Sequence, residues 1–589
     1  MAQKARRFQN GDLEKAMVEE MTEEMNENVS ENSSTYEDAF WGKLKNESVK
    51  TDLGYTENGA LAYNTSGSKL VDFDFNTSSM RQASKEEIAE NFAKVYTSGK
   101  ERAMRYLFYV GDIREGKGER HIFNEVMSYL ADTKPELVKA VLPLIPEYGR
   151  WDEVVNLVTS PVRDDVIALI KDQMEKDMAA ASKDEAISLC AKWLPSINAT
   201  NKDTIKKALI ISQALGMDKK TYRKTLSMLR DRLNIIEKAL AEKNVEKLVE
   251  MQESLTSKQN YKYKEALMRL MPEERKLYFD KVLKGEAKFN VDVLEPYEIY
   301  FRYRDELKID YWSRDKKSKG ADLSFETMWK MLPNKVEDGK GVLVIRDGSG
   351  SMTTGIPGTN KGQILDVASA LTVYFAEHAK GGFHDKFITF SSKPEVVDMT
   401  ACDTLADKIR LLGTYNDCSN TNLEATFDLL LKTAIDNKMK QEELPKNLLI
   451  VSDMQFDMAT SHRSYWDSHG SDDGWNETLF NSIRKKFEAA GYEIPRLIFW
   501  NVASQKTTIP EIKNELGLVL LSGYSKNIME MICEDNFEIE IVNEKGEKEV
   551  VQLSPEEVLE NKINSERYDA VSKAIAPVLE EDKKFGEER

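Results

Sequence analysis

The sequence predicts an α plus α/β protein, in which an array of helices, stacked like an α-solenoid, precedes a doubly wound α/β domain. Long helical patterns joined by short connections fill residues 84–331, although they show no repeat of fixed period. After residue 341, short apolar runs of strand length alternate with helical patterns, as in a mostly parallel sheet. We expect four segments: a polar, partly flexible extension over 1–80, the helical domain over 81–335, the α/β domain over 336–535 and an acidic segment over 536–589.

Composition limits the class of protein. At 589 residues, the chain is long enough for two to four domains. It contains no run of about 18 uncharged apolar residues, and its first 20 residues lack an apolar core, so we expect neither a membrane span nor a secretory signal. The four cysteines match no zinc spacing, which predicts idle thiols in a reducing cytoplasm: Cys190, Cys402, Cys418 and Cys533.

Charge is unevenly distributed along the chain. The formal net charge of −18 argues against nonspecific nucleic-acid binding by the whole protein, and we predict no binding to DNA. Residues 201–290 nevertheless hold 21 Lys and Arg against 13 Asp and Glu. A basic region inside an acidic protein is typical of a confined polyanion site. On charge alone, solvated helix faces explain this excess slightly better.

The sequence pattern of the N-terminal part changes near residue 84, from polar segments without periodicity to regular helical patterns. Residues 19–34 are acidic and then rich in Asn and Ser, which predicts partial flexibility. Short apolar patches over 57–81 predict extended or looped structure laid across a neighbouring domain. Ser84 and Glu87 form a capping box at the start of the first helix. Further helices are predicted around 103–110 and over 122–130, 136–145, 151–159, 161–180, 184–193, 201–214, 219–241 and 323–331.

A basic loop with three glycines, over 111–121, precedes the helix at 122–130. Glycines beside basic side chains ahead of a helix can bind phosphate through backbone N–H groups. The spacing is not that of a P-loop, because no G-x-x-x-x-G-K-[ST] is present. A simple connector between helices explains the loop equally well.

The helix over 219–241 carries a basic ridge. Arg223, Ser227 and Arg230 fall on one face, with Lys220 and Lys224 beside them. A ridge of this kind contacts phosphates well if it faces a groove.

The α/β domain is predicted from alternating strands and helices. Strands are expected over 341–345, 386–390, 447–451, 496–501 and 518–522. Helices are expected over 362–378, 405–412, 423–435 and 475–490, and from 526 onward. In such a sheet, binding sites form beyond the carboxyl ends of the strands.

The stretch GVLVIRDGSGSM, residues 341–352, runs from a predicted strand into a cluster of oxygen donors. Two further loops can deliver donors to the same edge of the sheet, which gives the set Asp347, Ser349, Ser351, Thr421 and Asp453. Hard oxygen donors suit Mg²⁺, or another divalent cation such as Mn²⁺ or Ca²⁺. Taken alone, the first loop can also be explained as an ordinary turn of Ser and Gly that binds no metal.

The sequence does not suggest an enzyme. Ser349 and Ser351 have no His beside them in a motif, and no G-x-S-x-G elbow exists. His462 and His469 lie near Asp472 and Asp473 at a spacing that can bind a metal, but a solvated polar loop explains them better.

Three stretches, DGSGSM, NTNLEATFDLLL and LLIVSDMQFD, resemble the loops of a von Willebrand factor A domain, a Rossmann-like fold with a metal-ion-dependent adhesion site. The resemblance implies that Ser349, Ser351 and Thr421 contact the ion directly. It also implies that Asp347 and Asp453 act mainly through water. Arg346 departs from the pattern, because an apolar or acidic residue is common before the first Asp.

The helical region resembles the TROVE module of the Ro autoantigen family, in which a ring of HEAT-like repeats precedes an A domain. The stretches LFYVGDIREGKGERHIF, IPEYGRWDEVV and IISQALGMDKKTYRKTLSMLR carry this resemblance. The last, with YKYKEALMR and FITFSSKPEVV, also resembles an uncharacterised branch of that family. The match spans about residues 85–535 and implies RNA binding through basic residues in the matched stretches: Arg114, Lys117, Arg120, His121, Arg223, Lys224 and Arg230.

These expectations combine into a cytoplasmic RNA-binding protein, a ribonucleoprotein component. The resemblance implies that it binds small non-coding, structured or misfolded RNA on the outside of the ring and single-stranded ends through the hole. A protein partner would donate a carboxylate to the metal site. The alternatives are a protein–protein scaffold that uses the metal site without RNA, and a structural component of a phage or other large assembly.

Overall fold

The computed structural model describes residues 53–55, 61–233, 235–290, 294–309, 321–334, 341–356, 362–391, 393–416, 423–454, 479–502, 518–525, 528, 538–542 and 548–587. The chain divides into two compact units, residues 1–54 and residues 55–589. Apart from residues 53 and 54, every described residue belongs to the second unit. The architecture below is therefore that of the second unit.

The N-terminal half is mostly helical, as predicted. It has strands β1 (Leu53–Tyr55) and β2 (Leu61–Tyr63), followed by helices α1 (Lys69–Phe75), α2 (Lys85–Ser98), α3 (Lys100–Gly111), α4 (Arg120–Thr133), α5 (Pro135–Val141), α6 (Ile145–Tyr148), α7 (Trp151–Asn156), α8 (Arg163–Ser182), α9 (Cys190–Trp193), α10 (Lys202–Ala214), α11 (Lys219–Arg232), α12 (Ile236–Glu242), α13 (Val245–Met251), α14 (Ser257–Lys262), α15 (Lys264–Leu270), α16 (Pro272–Leu283), α17 (Pro296–Leu307) and α18 (Leu323–Lys330). Within the described ranges, no helix is both long enough and apolar enough to cross a bilayer.

The C-terminal half contains a sheet and further helices. They are β3 (Val342–Asp347), α19 (Ile364–His378), β4 (Lys386–Phe390), β5 (Val396–Asp398), α20 (Leu405–Leu412), α21 (Leu423–Asp436), β6 (Asn447–Ser452), α22 (Leu479–Ala489), β7 (Arg496–Asn501), β8 (Leu518–Ser522), β9 (Glu538–Val542), β10 (Lys548–Gln552), α23 (Pro555–Ile563) and α24 (Asp569–Glu587). Short 3₁₀ helices lie at Ser79–Gln82, Leu142–Leu144, Leu157–Thr159, Gln252–Ser254, Gly350–Thr353, Gly381–Phe383, Gln441–Glu443 and Glu566–Tyr568.

Helix starts agree with the sequence where capping signals are strong. The Ser84 hydroxyl accepts the Glu87 N–H at 3.1 Å, which is the Ser84 half of the predicted capping box, and α2 begins at the next residue. Asn201 caps α10 in the same way. A side chain that satisfies free N–H groups fixes where a helix begins.

The prediction of one helix over 219–241 is wrong, because the structure has two helices there. α11 ends at Arg232 and α12 begins at Ile236. Leu229 is buried in the large core of the helical half, whereas Ile236 is buried in a separate small core with Leu248 and Met251. The break therefore lets two halves of the segment pack against different neighbours.

The helix predicted over 184–193 is reduced to the single turn α9. The buried carboxylate of Asp177 accepts hydrogen bonds from the Ser188 N–H at 2.9 Å and from its hydroxyl at 2.6 Å. The Ser188 hydroxyl in turn accepts the Cys190 N–H. These side-chain contacts give the backbone an alternative to helical hydrogen bonds.

The segment predicted to be extended or looped over 57–81 instead contains helix α1. This segment does lie across the sheet, since the Ser78 hydroxyl is 2.8 Å from the Ser522 hydroxyl at the end of β8. The Asn501 amide at the end of β7 also donates to the Phe75 carbonyl at 2.9 Å. Residues 69–78 are therefore part of the packed fold.

The six-stranded sheet has the order β5-β4-β3-β6-β7-β8. β5 runs antiparallel to β4, and all other neighbouring pairs are parallel. Alternate residues of each strand enter two different cores, with Val344 on one face of β3 and Ile345 on the other. Helices α17 to α20 cover the first face, and α1, α21 and α22 cover the second. A doubly wound α/β architecture is thus confirmed.

The C-terminal helices return to the helical half. Ile563 and Tyr568 are buried in the same core as Phe92 and Leu107. Arg567 pairs with the fully buried Asp112, whose carboxylate also accepts the Tyr568 hydroxyl at 3.2 Å. Residues near 560–575 therefore complete a core that begins near residue 70.

Candidate functional site

The first candidate site lies where the order of the sheet reverses. β3 is central, β4 and β5 extend to one side of it, and β6, β7 and β8 extend to the other. The crevice between the carboxyl ends of β3 and β6 is therefore a topological switch point, the usual ligand position in open α/β sheets. Asp347 ends β3, and Asp453 follows the last residue of β6.

Asp347 is fully buried and held by hydrogen bonds. Its Oδ1 accepts the Ser349 N–H at 2.9 Å, and its Oδ2 accepts the Ser452 hydroxyl at 2.5 Å. Burial raises the pKa of the Asp347 carboxyl, while the hydrogen bonds from Ser452 and Ser349 act in the opposite direction. A buried carboxylate of this kind gains most from a nearby cation.

The Ser349 and Ser351 hydroxyls are hydrogen-bonded to each other, with their oxygens 3.0 Å apart. Adjacent ligands of an octahedral Mg²⁺, each about 2.1 Å from the ion, are also about 3.0 Å apart. Asp453 is buried, and Met454 after it adopts a left-handed backbone with φ of +64°. The donors that the structure describes therefore fit a small, hard divalent cation.

Thr421, the remaining predicted metal ligand, lies outside the described residues, as do His462, His469, Asp472 and Asp473. Across the ranges that are described, no three His, Cys, Asp or Glu side chains form a metal-binding group, so the candidate site depends on hydroxyls. Sequence reasoning missed Ser452, although a hydroxyl at the end of a predicted strand was a usable signal.

Arg346 is buried next to this site. Its Nε donates to the Ser369 hydroxyl at 3.0 Å, and its Nη2 donates to the Asn416 side-chain oxygen at 2.5 Å. A Cβ on the intervening Gly348 would come within 3.2 Å of the Tyr415 carbonyl oxygen. Arg346 therefore ties the stretch at 415–416 to the end of β3.

The second candidate site is a cavity of about 770 Å³ between the helical half and the end of β8, called here the large cavity. Eight basic side chains line it: Arg81, Lys117, Arg120, Arg150, Lys192, Arg230, Lys258 and Lys262. Two acidic side chains, Glu237 and Glu295, also line it. Four aromatic side chains complete the set: Trp193, Tyr263, Tyr297 and Tyr524.

Two arginines of the large cavity stack on aromatic rings. The Arg150 guanidinium lies 4.0 Å from the centre of the Trp193 ring, and the Arg81 guanidinium lies 4.0 Å from that of Tyr524. The Lys262 ammonium lies 4.7 Å from the Tyr263 ring. Cations held over aromatic rings recur in sites that bind both phosphates and bases.

Three of the predicted RNA-binding residues line the large cavity. Lys117 is almost fully buried and pairs with Asp74 at 2.7 Å, so it acts as a structural ion pair. Arg120 pairs with Asp152 and Glu153. Arg230 donates to the carbonyls of Ala191 and Leu194, and burial lowers the pKa of its guanidinium.

The other predicted residues lie elsewhere. Arg114 is exposed and donates to the Glu147 carbonyl, and the exposed His121 is 3.9 Å from Glu125. Lys224 is exposed and lines neither this cavity nor the smaller one beside it. Arg223 lines that smaller cavity of about 360 Å³, together with Ser227 and Arg230 from the same helix face.

Sequence reasoning missed most of the large cavity. Lys192 and Trp193 are adjacent in the chain and were treated only as part of a helix. Arg81, Lys258 and Tyr524 come from three distant segments, and no local pattern joins them. A cation next to an aromatic residue, as in Lys192-Trp193, was the one available signal.

Comparison with known proteins gives three matches. Residues 342–575 match a family model described as a domain of unknown function (DUF7788), and residues 56–166 match one described as a domain of unknown function (DUF2828). The chain is also 29% identical over 518 residues to "Uncharacterized protein L728" of Acanthamoeba polyphaga mimivirus, covering 82% of this chain and 84% of that protein. The first match runs from β3 into α24, so it includes the sheet and the helices that return to the helical half.

Proposed function

We propose that this protein binds RNA, with a single-stranded segment entering the large cavity. In the same proposal, the α/β domain is a von Willebrand factor A domain that holds Mg²⁺, and the helical half is a Ro-like ring of HEAT-like repeats. The protein then binds its ligands without transforming them. The resemblance of the motif stretches and the position of Asp347 at the switch point support this reading.

The observation that carries the RNA proposal is the lining of the large cavity. Eight cations and four aromatic rings face one space of about 770 Å³. Proteins that bind single-stranded RNA combine a basic groove for the phosphates with aromatic side chains on which bases stack. The acidic chain as a whole would repel RNA, so binding should be confined to this site.

The cations of the large cavity differ in how they are neutralised. Arg81 pairs with Glu119 and Arg150 pairs with Asp152. Among the described residues, no carboxylate forms an ion pair with Lys192, and Arg230 donates only to backbone carbonyls. The Lys262 ammonium lies 3.9 Å from Glu237, but its side chain is largely exposed. Lys192 and Lys262 are therefore the lysines best placed to exchange solvent for phosphate.

The metal part of the proposal rests on separate residues. Ser349, Ser351 and Thr421 would hold the ion, with Asp347 and Asp453 acting through water, as the resemblance implies. A bound Mg²⁺ would supply a coordination position for a carboxylate from a protein partner. The chain itself orients the two serine hydroxyls through their mutual hydrogen bond. It also holds the buried Asp347 carboxylate in place through the hydrogen bond from Ser452.

The proposal is tested with full-length protein and a fluorescein-labelled 12-nucleotide oligo(U) RNA, by fluorescence anisotropy at several salt concentrations. The double variant Lys192→Ala/Lys262→Ala should bind more weakly. Its salt slope should also fall by about 1.4, since each phosphate contact on a single strand contributes about 0.7. The matched control is Lys94→Ala/Lys176→Ala, because both lysines are exposed and lie outside the cavity. Equal affinities for wild type and the first variant would refute the proposal.

A scaffold that uses the metal site without RNA is the second candidate. The 3.0 Å spacing of the Ser349 and Ser351 hydroxyls favours it independently of the cavity. Fluorescence anisotropy with oligo(U) separates the two readings, because both predict Mg²⁺ binding in isothermal titration but a scaffold shows no anisotropy change with the RNA. A structural role in a large assembly instead predicts self-association at micromolar concentration, which sedimentation velocity would detect.

A further inference from the structure

The smaller cavity, of about 360 Å³, lies beside the large one and is called here the small cavity. It is formed by one face of α11, the turn that follows α9 and the start of α12. Its volume is at the low end of the roughly 300–1,000 Å³ range of small-molecule sites. The two cavities share Arg230, Ile235 and Glu237 in their linings, so they are direct neighbours.

The lining of the small cavity has apolar walls and polar edges. Ile197, Leu226 and Ile235 supply the apolar surface. Ser196, Asn198, Arg223 and Ser227 supply the polar groups. In the described part of the chain, none of these four side chains forms a hydrogen bond or ion pair with another protein group, so their donors and acceptors remain available to a ligand.

The charges of the small cavity largely cancel, since Arg223, Arg230 and Lys238 line it together with Asp231 and Glu237. Asp231 and Glu237 both line it, and Lys238 is already paired with Asp231 at 2.6 Å. Glu237 accepts the Tyr263 hydroxyl at 2.5 Å and lies 3.9 Å from the Lys262 ammonium. A neutral, flat group with a polar edge suits this lining better than a phosphate does.

Resting on the proposed RNA binding, we propose that the small cavity takes one unstacked adenine base of the bound strand. The base packs between the apolar side chains, and the Asn198 amide pairs with its edge. An Asn amide presents one donor and one acceptor side by side, which is the complement of adenine N6 and N7. Arg223, an exposed residue of the lining, contacts the phosphate of the same nucleotide.

The test compares labelled 12-nucleotide oligo(A), oligo(U) and oligo(C) RNAs by anisotropy with full-length protein. Wild type should bind oligo(A) at least about fivefold more tightly, the lower limit for one bidentate contact. Asn198→Ala should bring the affinity for oligo(A) to that for oligo(U). The matched control Asn437→Ala changes an exposed Asn outside both cavities and should retain the preference.

Arg223→Gln gives a second readout, because a phosphate contact is independent of the base. This variant should bind all three RNAs more weakly by the same factor, and its salt slope should fall by about 0.7. Equal binding of the three RNAs by wild type, or a preference that survives Asn198→Ala, would overturn the inference while leaving RNA binding intact. No binding of any RNA would overturn the proposed function as well.

Discussion

The two candidate sites are built in opposite ways. At the end of β3, Asp347, Ser349 and Ser351 lie within five residues of one another and are fixed by hydrogen bonds, with Asp347 and Ser349 buried and Ser351 partly buried. The large cavity takes its side chains from segments between Arg81 and Ser525, many of them only partly buried. A strand end concentrates donors through local geometry, whereas a cavity between helices depends on the packing of the whole unit.

The two sites also differ in whether their charged side chains already have a partner of opposite charge. Asp347 accepts hydrogen bonds from a hydroxyl and an N–H group, and the charge of the neighbouring Arg346 contributes less to lowering its pKa than these bonds do. Among the described residues, no lysine forms an ion pair with it, so the site suits a cation. In the large cavity, Lys117 already has Asp74 as its partner. A basic residue that lines the cavity is therefore not always part of the binding surface. Variants can separate residues that stabilise the fold through an ion pair from residues that bind RNA.

The largest effect is expected for Lys117→Met. This change leaves the carboxylate of Asp74 buried without its lysine, which costs about 3 kcal/mol of unfolding free energy. Urea denaturation measures the loss. The double variant Asp74→Asn/Lys117→Met should recover most of it, because removing both partners of a buried pair is nearly neutral. A loss below about 1 kcal/mol would return Lys117 to the set of RNA-binding residues.

A loss of at least about 100-fold in Mg²⁺ affinity is expected for Ser349→Ala/Ser351→Ala. Changes around metal ligands already cost about 10- to 100-fold, so removing two direct ligands should exceed that range. Isothermal titration checks this result. Ser160→Ala, at the end of a 3₁₀ turn in the helical half, is the control. Undiminished Mg²⁺ affinity in the double variant would remove these hydroxyls from the metal site.

A loss of roughly tenfold in RNA affinity is expected for Trp193→Ala. Stacking of one base on an aromatic ring is worth about 1–3 kcal/mol. Anisotropy with oligo(U) should show this loss with an unchanged salt slope, because Trp193 carries no charge. A changed slope would indicate instead that the variant acts by displacing Arg150, which stacks on the same ring.

The smallest effect is expected for metal removal. Treatment with EDTA should change the affinity for oligo(U) by less than about twofold, because the cations of the large cavity are side chains. A larger loss would show that the two sites depend on each other. That result would contradict the independence of the metal site and the large cavity.

The sequence predicted the elements whose signals are local. β4, β7, β8 and α20 have the predicted bounds, because each is a short apolar pattern between clear turn residues. Helix α1 was missed because KLVDFDF is short and buries Leu70 and Phe75 against two different cores, which hides any single periodic face. Tertiary packing overrode the local pattern there.

The same distinction applies to the sites. Asp347, Ser349, Ser351 and Asp453 could be placed together from the rule for strand ends, whereas Ser452 was overlooked beside them. Arg223 and Arg230 were predicted on one face and do line one cavity. Lys192 and Tyr524 could not be joined from the sequence, because they meet only after the sheet packs on the helices.

The return of α23 and α24 to the helical half has a consequence for synthesis of the protein. Ile563, Tyr568 and Ile575 complete the core that holds α2, α3 and α4, and Arg567 is the partner of the buried Asp112. A ribosome makes these residues nearly 500 positions after Ile88, the first core residue of α2. The first helices therefore keep part of their apolar surface uncovered until residues 563–575 have been made.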